Sequence, residues 1–126
     1  MTDKKMKILI VEPMKRPKVR EIDGSLESMQ AVVGGTIQAV YPFEDEVALI
    51  CNDEGKMIGL SPNRFLRDEA GEPYDLIHGT FFLAGLGEEN FTSLTKEQIE
   101  KYSQKYAGEM CLCIPAKKKN TIEMER

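Results

Sequence analysis

The chain has a single histidine, His78, and three cysteines, Cys51, Cys111 and Cys113, among its 126 residues. Nucleophilic catalysis needs an activated nucleophile, a base and an orienting group. Ser61, Ser93 and Cys51 are the nucleophiles on offer, and none lies in an active-site motif. His78 stands between Ile77 and Gly79 in an apolar stretch and reads as a structural residue on a strand face or rim. An enzyme pairing His78 with a carboxylate such as Asp75 is the weakest functional reading. Cys111 and Cys113 have a one-residue gap, unlike the C-x₂₋₄-C spacing of zinc sites, and no second Cys/His pair accompanies them. On a strand both would point to one face as small buried hydrophobes. The odd cysteine count, with no signal-peptide pattern, points to a reducing cytoplasm. The longest apolar runs, such as Phe81-Phe82-Leu83-Ala84, fall far short of the roughly 18 residues that span a bilayer.

A basic surplus is also missing. The chain carries 17 Lys and Arg against 21 Asp and Glu, a formal charge of -4. Phosphate contacts supply most of a nucleic-acid binder's affinity, so this balance disfavours such a partner. The local basic runs, Lys15 to Arg20 and Lys117-Lys118-Lys119, read as a solvated turn and a solvated tail. There is no P-loop, and Gly34-Gly35 opens no dinucleotide fingerprint. Gly85-Leu86-Gly87 is followed by Glu88-Glu89, which would repel a phosphate. Glu44-Asp45-Glu46 and Asn52-Asp53-Glu54 lack the spaced oxygen ligands and closing glutamate of a calcium loop, and turn chemistry accounts for both. No metal or cofactor is therefore expected.

What the chain does contain is folding information. At 41% hydrophobic and 30% charged residues it reads as a soluble globular domain. Met6–Val11 is a short apolar run ending at Glu12-Pro13, a buried strand. Lys18–Ile22 is a second, more exposed strand antiparallel to it, with Val19 and Ile22 facing inward. Ser25 suits an N-cap, with Glu27 in the first turn. Leu26, Met29, Val32 and Val33 form a helical apolar stripe that stops at Gly34, where a left-handed C-cap is wanted. Thr36–Tyr41 reads as a strand ended by Pro42, and Val47–Cys51 as a central strand. Asn52–Gly55 then makes a hairpin loop, with Lys56–Leu60 returning as the partner strand.

Ser61–Leu66 reads as a turn followed by one helical turn, and Arg67–Pro73 as a polar loop. Tyr74–Leu86 is the longest hydrophobic segment and the longest expected strand, interrupted at Gly79 and Gly85. Thr95 and Gln98 fit a capping box, with Leu94 and Ile99 as its hydrophobic staple. Ile99, Tyr102 and Tyr106 follow on one side of a helix that ends near Gly108. Glu109–Pro115 suggests a final strand, and residues 116–126 a charged, flexible tail. The sum is one α+β domain over residues 1–115, with a largely antiparallel sheet of five or six strands covered by two helices.

Among polar clusters, Pro62-Asn63-Arg64-Phe65 stands out. Arg64 offers a bidentate fork for an anion, and Asn63 can pair with polar edges. Tyr41 and Tyr74 are expected to approach them, and Tyr41, Phe43 and Phe65 are candidate interface anchors. Asn63, Arg64, Tyr41, Tyr74 and Phe65 are thus the candidate ligand- or partner-binding residues, with no catalytic set among them.

Several segments taken in order resemble one family. They are Leu26-Glu27-Ser28-Met29-Gln30, Val33-Gly34-Gly35, Val40-Tyr41-Pro42, Cys51 to Lys56, Pro62-Asn63-Arg64 and Gly79-Thr80-Phe81-Phe82. Over Lys5 to Tyr106 the chain resembles the bacterial and phage domain of unknown function DUF3846. That resemblance carries no catalytic residues. It implies a small cytoplasmic protein of phages, plasmids or conjugative elements. The expected role is a non-enzymatic accessory protein that docks onto a host or element-encoded protein, in counter-defence or in regulating transfer. The alternative is sequestration of a nucleotide-like anion through Arg64, Asn63 and a tyrosine, with self-association completing the pocket.

Overall fold

The computed structural model describes residues 5–107. Strand β1 (Met6–Val11) pairs with β2 (Lys18–Ile22), and helix α1 (Leu26–Val33) follows. Strands β3 (Ile37–Val40) and β4 (Val47–Asn52) come next, then β5 (Pro62–Arg67), β6 (Pro73–His78), β7 (Phe81–Leu86) and the short β8 (Phe91–Thr92). Helix α2 (Lys96–Ala107) closes the described part. The main sheet has the order β2-β1-β7-β4-β3, with β8 paired to β7, and β5 and β6 form a separate two-stranded sheet. All pairings are antiparallel.

Both faces of the main sheet are covered, which explains why its central strands are nearly continuous apolar runs. Alternation along β1 sends Ile8 and Ile10 to one core with Met29 and Val33 of α1, together with Ile50, Phe82 and Ala84. Leu9 and Val11 enter the opposite core with Leu49, Phe81 and Leu83. Tyr102 and Tyr106 of α2 close that second core, joined by Leu66 and Ile77 of the β5–β6 hairpin. Burying a large aliphatic or aromatic side chain contributes about 1.5–3 kcal/mol over leaving it exposed. Strands β1, β4 and β7, buried almost throughout, supply most of the buried apolar side chains.

The expected helices form with their expected caps. Ser28 N–H donates to Ser25 Oγ at 3.0 Å, and Gly34 adopts φ 78°, a left-handed conformation that costs other residues a Cβ clash. Buried Asn52 donates to Val33 O at 3.1 Å, which ties the end of α1 to β4. At α2 the capping box closes in both directions: Thr95 N–H donates to Gln98 Oε1 at 2.9 Å, and Gln98 N–H to Thr95 Oγ1 at 3.1 Å.

Four local expectations change. Val19 is 49% exposed: it pairs with Leu9 on the α2 side of the sheet, whereas Ile22, three residues on, pairs with Met6 on the other side and packs against the α1 core. Residues 56–60 are not a strand. β4 already has β3 on one side and β7 on the other, so no edge is left for them. They coil instead through Ile58 N–H to Glu54 O (3.0 Å) and Leu60 N–H to Gly55 O (3.0 Å), leaving Met57 and Ile58 exposed. Residues 62–66 are not a helical turn but part of β5, where Pro62 takes the first strand position that lacks no bond for want of an N–H. Tyr74–Leu86 is two strands in two different sheets. The chain turns at Gly79, which has φ 88° and donates its N–H to Ser61 O at 2.7 Å. The expected strand at residues 109–115, the Cys111–Cys113 pair and the charged tail lie outside the described residues.

Candidate functional site

The hairpin β5–β6 places the candidate residues in two different settings. A register shift between Pro62 and Arg64 makes Asn63 the extra residue of a β-bulge. In a regular strand Asn63 and Arg64 would point to opposite sides. With the bulge, both side chains are fully buried.

Asn63 Nδ2 donates to Val11 O at 2.9 Å and to Gly79 O at 2.8 Å. Its Oδ1 accepts from Arg64 Nη1 at 2.8 Å. Arg64 Nε and Nη2 both donate to Tyr106 O, at 3.1 and 2.8 Å, and Nη2 also reaches Lys15 O at 2.8 Å. Tyr106 lies in the last turn of α2, so the guanidinium sits at the negative end of a helix dipole. The pair thereby ties together the end of β1, the β1–β2 turn, the β6–β7 turn and the end of α2. Both residues are fully buried, and neither lines the cleft at which Tyr41 and Tyr74 are exposed.

Tyr41 and Tyr74 do come together. They are 60% and 58% exposed and wall a surface cleft of about 810 Å³ between the β3–β4 loop and the outer end of the hairpin. Pro42, Phe43 and Glu44 form one side of it, and Arg67, Asp68 and Glu69 the other. Phe65 is half-buried and outside the lining, with the Arg67 guanidinium 5.7 Å from its ring centroid. Arg67 Nη1 also donates to Gly71 O at 3.0 Å. The loop wall is anchored from below. Tyr102 Oη and Lys101 Nζ donate to Asp45 Oδ2 at 2.8 and 2.7 Å, and Phe43 packs on Tyr102 with ring centroids 4.7 Å apart. The hydrogen bonds from Lys101 and Tyr102 hold Asp45 below the usual carboxylate range.

A much smaller cavity of about 270 Å³ lies farther along β3 and β6, between Gln38 and the stretch Asp75–His78. His78 is half-buried, and its Nδ1 lies 2.9 Å from Leu60 O. A carbonyl can only accept, so Nδ1 carries the proton and the ring is fixed to backbone. Asp75 bonds Lys56 Nζ at 2.5 Å, and that hydrogen bond is the main reason its carboxyl lies below the usual range. His78 and Asp75 thus have separate partners. Cys51 lines the same cavity, but burial, reinforced by Asp53 and Asp75, pushes its thiol up to about 11. At neutral pH it is a protonated thiol rather than a nucleophile. No group of three or more metal-ligating side chains occurs among the described residues.

Arg67, Asp68, Glu69 and Gln38 are lining residues that the sequence reading did not single out. The signal for Arg67 was its place two residues after Phe65 in what proved to be a strand.

These observations define a three-layer α+β domain: α1 on one side of an antiparallel sheet, α2 and a β-hairpin on the other. A model of the family described as Domain of unknown function (DUF3846) matches residues 6–107. The chain belongs to that family. No curated protein and no solved structure matches it. No helix among the described residues is long and apolar enough to cross a membrane.

Proposed function

We propose that this chain is a non-enzymatic binding protein that acts by contact with another protein through the Tyr41–Tyr74 cleft. The observation that carries the reading is the pair of well-exposed tyrosines at one cleft, whose loop wall, carrying Tyr41, is held in place by Asp45 and Phe43. Tyrosine is, with tryptophan and arginine, among the residue types enriched at the hot spots of protein interfaces. The partner is a host protein or one encoded by a phage or other mobile element, and the setting is the cytoplasm, as the family resemblance suggests.

The anion-sequestering alternative gains no support from the geometry. Arg64 is inside the fold, and an anion at the cleft would meet Glu44, Asp68 and Glu69. Photo-crosslinking tests the binding reading. Benzoylphenylalanine at Tyr41 is expected to give a discrete protein adduct in the native host, and the same group at exposed Val19 on the opposite edge is not. The adduct should disappear with Tyr74→Ala. An adduct pattern identical at both positions, or none at Tyr41, sinks the proposal.

A further inference from the structure

β3 is an open edge of the main sheet, and its outward backbone groups can be assigned. Asp53 N–H donates to Thr36 O at 2.9 Å, and the same register pairs Gln38 with Cys51 and Val40 with Leu49. Bonded pairs alternate along an antiparallel ladder. Thr36, Gln38 and Val40 therefore face β4, and the N–H and C=O groups of Ile37 and Ala39 point away from it. No strand lies beyond β3 among the described residues. The opposite edge is different. β2 carries Lys18, Arg20 and Glu21, charges of the kind that discourage strand addition, whereas residues 34–43 carry none.

Charge in the two cavities on the hairpin side of β3 is mostly negative. Glu44, Asp68 and Glu69 line the cavity at the Tyr41 end, and Asp53, Glu54 and Asp75 the one at the Gln38 end. The cations in the same two linings are Arg67, held by Gly71 O, and Lys56, held by Asp75. A second copy of this chain would bring the same carboxylates to the junction, so like charges would oppose self-pairing.

We propose that β3 is the docking edge for an extended, lysine- or arginine-bearing segment of a partner protein, added to the sheet as a further strand. Backbone bonds to Ile37 and Ala39 supply the pairing, and the flanking carboxylates select the charge. Tyr41 and Tyr74 close over one end and offer ring faces to a cation. The inference rests on the protein-binding reading and specifies the partner's chemistry.

The test uses the full chain and a fluorescein-labelled peptide alternating lysine with valine, followed by anisotropy. The lysine peptide binds, and about 0.3 M salt weakens it roughly tenfold relative to about 0.05 M. Replacing lysine by glutamate, or methylating alternate backbone amides, abolishes binding. Ala39→Pro, which removes an outward N–H, also abolishes it while circular dichroism stays unchanged. If that variant misfolds, the methylated peptide still decides, because it leaves the protein untouched. Failure of the lysine peptide, equal binding of the glutamate peptide, or indifference to methylation overturns the inference. So does concentration-dependent dimerisation that Ala39→Pro removes, which would make a second copy the occupant. A Tyr41 crosslink alongside failed peptides leaves the binding reading standing and removes this inference alone; loss of both removes both.

Discussion

Residues 63–64 and the Tyr41–Tyr74 pair flank the same hairpin, but Asn63 and Arg64 have no exposed surface whereas the tyrosines are more than half exposed. The polar side chains turn inward because a bulge re-aims them, and four segments of the fold supply carbonyls that satisfy them. The tyrosines turn outward over a cleft whose floor is held by other residues. Residue chemistry therefore does not decide the role. An arginine fork suited to a ligand is equally suited to the end of a helix and a tight turn, and here backbone carbonyls are its ligands.

The largest effect expected from this contrast is at Arg64. Arg64→Ala removes the guanidinium bonds to the buried Tyr106 carbonyl and the part-buried Lys15 carbonyl and opens a void. The expected loss is about 3 kcal/mol or more, a fall in Tm on the order of 10 °C. Arg64→Lys recovers little, because one ammonium cannot span the acceptors reached by a planar fork. Asn63→Ala comes next, at about 1–3 kcal/mol, since Val11 O and Gly79 O lose a shared donor. Thermal and urea unfolding measure both. If Arg64→Ala unfolds like the parent, the tying role assigned to the buried pair is wrong.

At the tyrosines the expectation inverts. Tyr41→Ala and Tyr74→Ala shift stability by no more than about 0.5 kcal/mol, as surface substitutions do, while partner capture is lost. A variant that unfolds as Arg64→Ala does would erase the distinction between the two regions.

The sequence made the helices and the buried strands legible because each had both a periodic pattern and a stop signal. Ser25 and Gly34 bracket α1, and Thr95 with Gln98 opens α2. The hairpin region was not legible for two physical reasons. A strand's neighbours are decided by the whole sheet, so residues 56–60 could not show that β3 and β7 had already filled both sides of β4. A bulge leaves no periodic trace, so two adjacent polar residues after a proline resembled a turn. At the site, Tyr41 and Tyr74 were expected beside Asn63 and Arg64, and the burial of Arg64 away from their cleft was not legible, because its acceptors are carbonyls distant in sequence.

The smallest effect concerns the wall that supports Tyr41. Asp45 is paired with Lys101 and Tyr102 and titrates below the ordinary aspartate value of 3.8. A carboxyl with a depressed folded-state pKa contributes stability above its unfolded value and loses it as pH falls through the folded one. Asp45→Asn should therefore be slightly less stable than the parent at neutral pH, with the gap closing in acid below about pH 4. Because Asp45 is substantially exposed, solvent screening keeps the stability gap small. The effect on binding should be larger than the effect on stability, since the substitution loosens the loop that carries Phe43 and Glu44 without touching the hairpin. Acid-unfolding curves and peptide binding at neutral pH check this. Peptide affinity unchanged in Asp45→Asn at neutral pH would mean that the wall does not depend on Asp45.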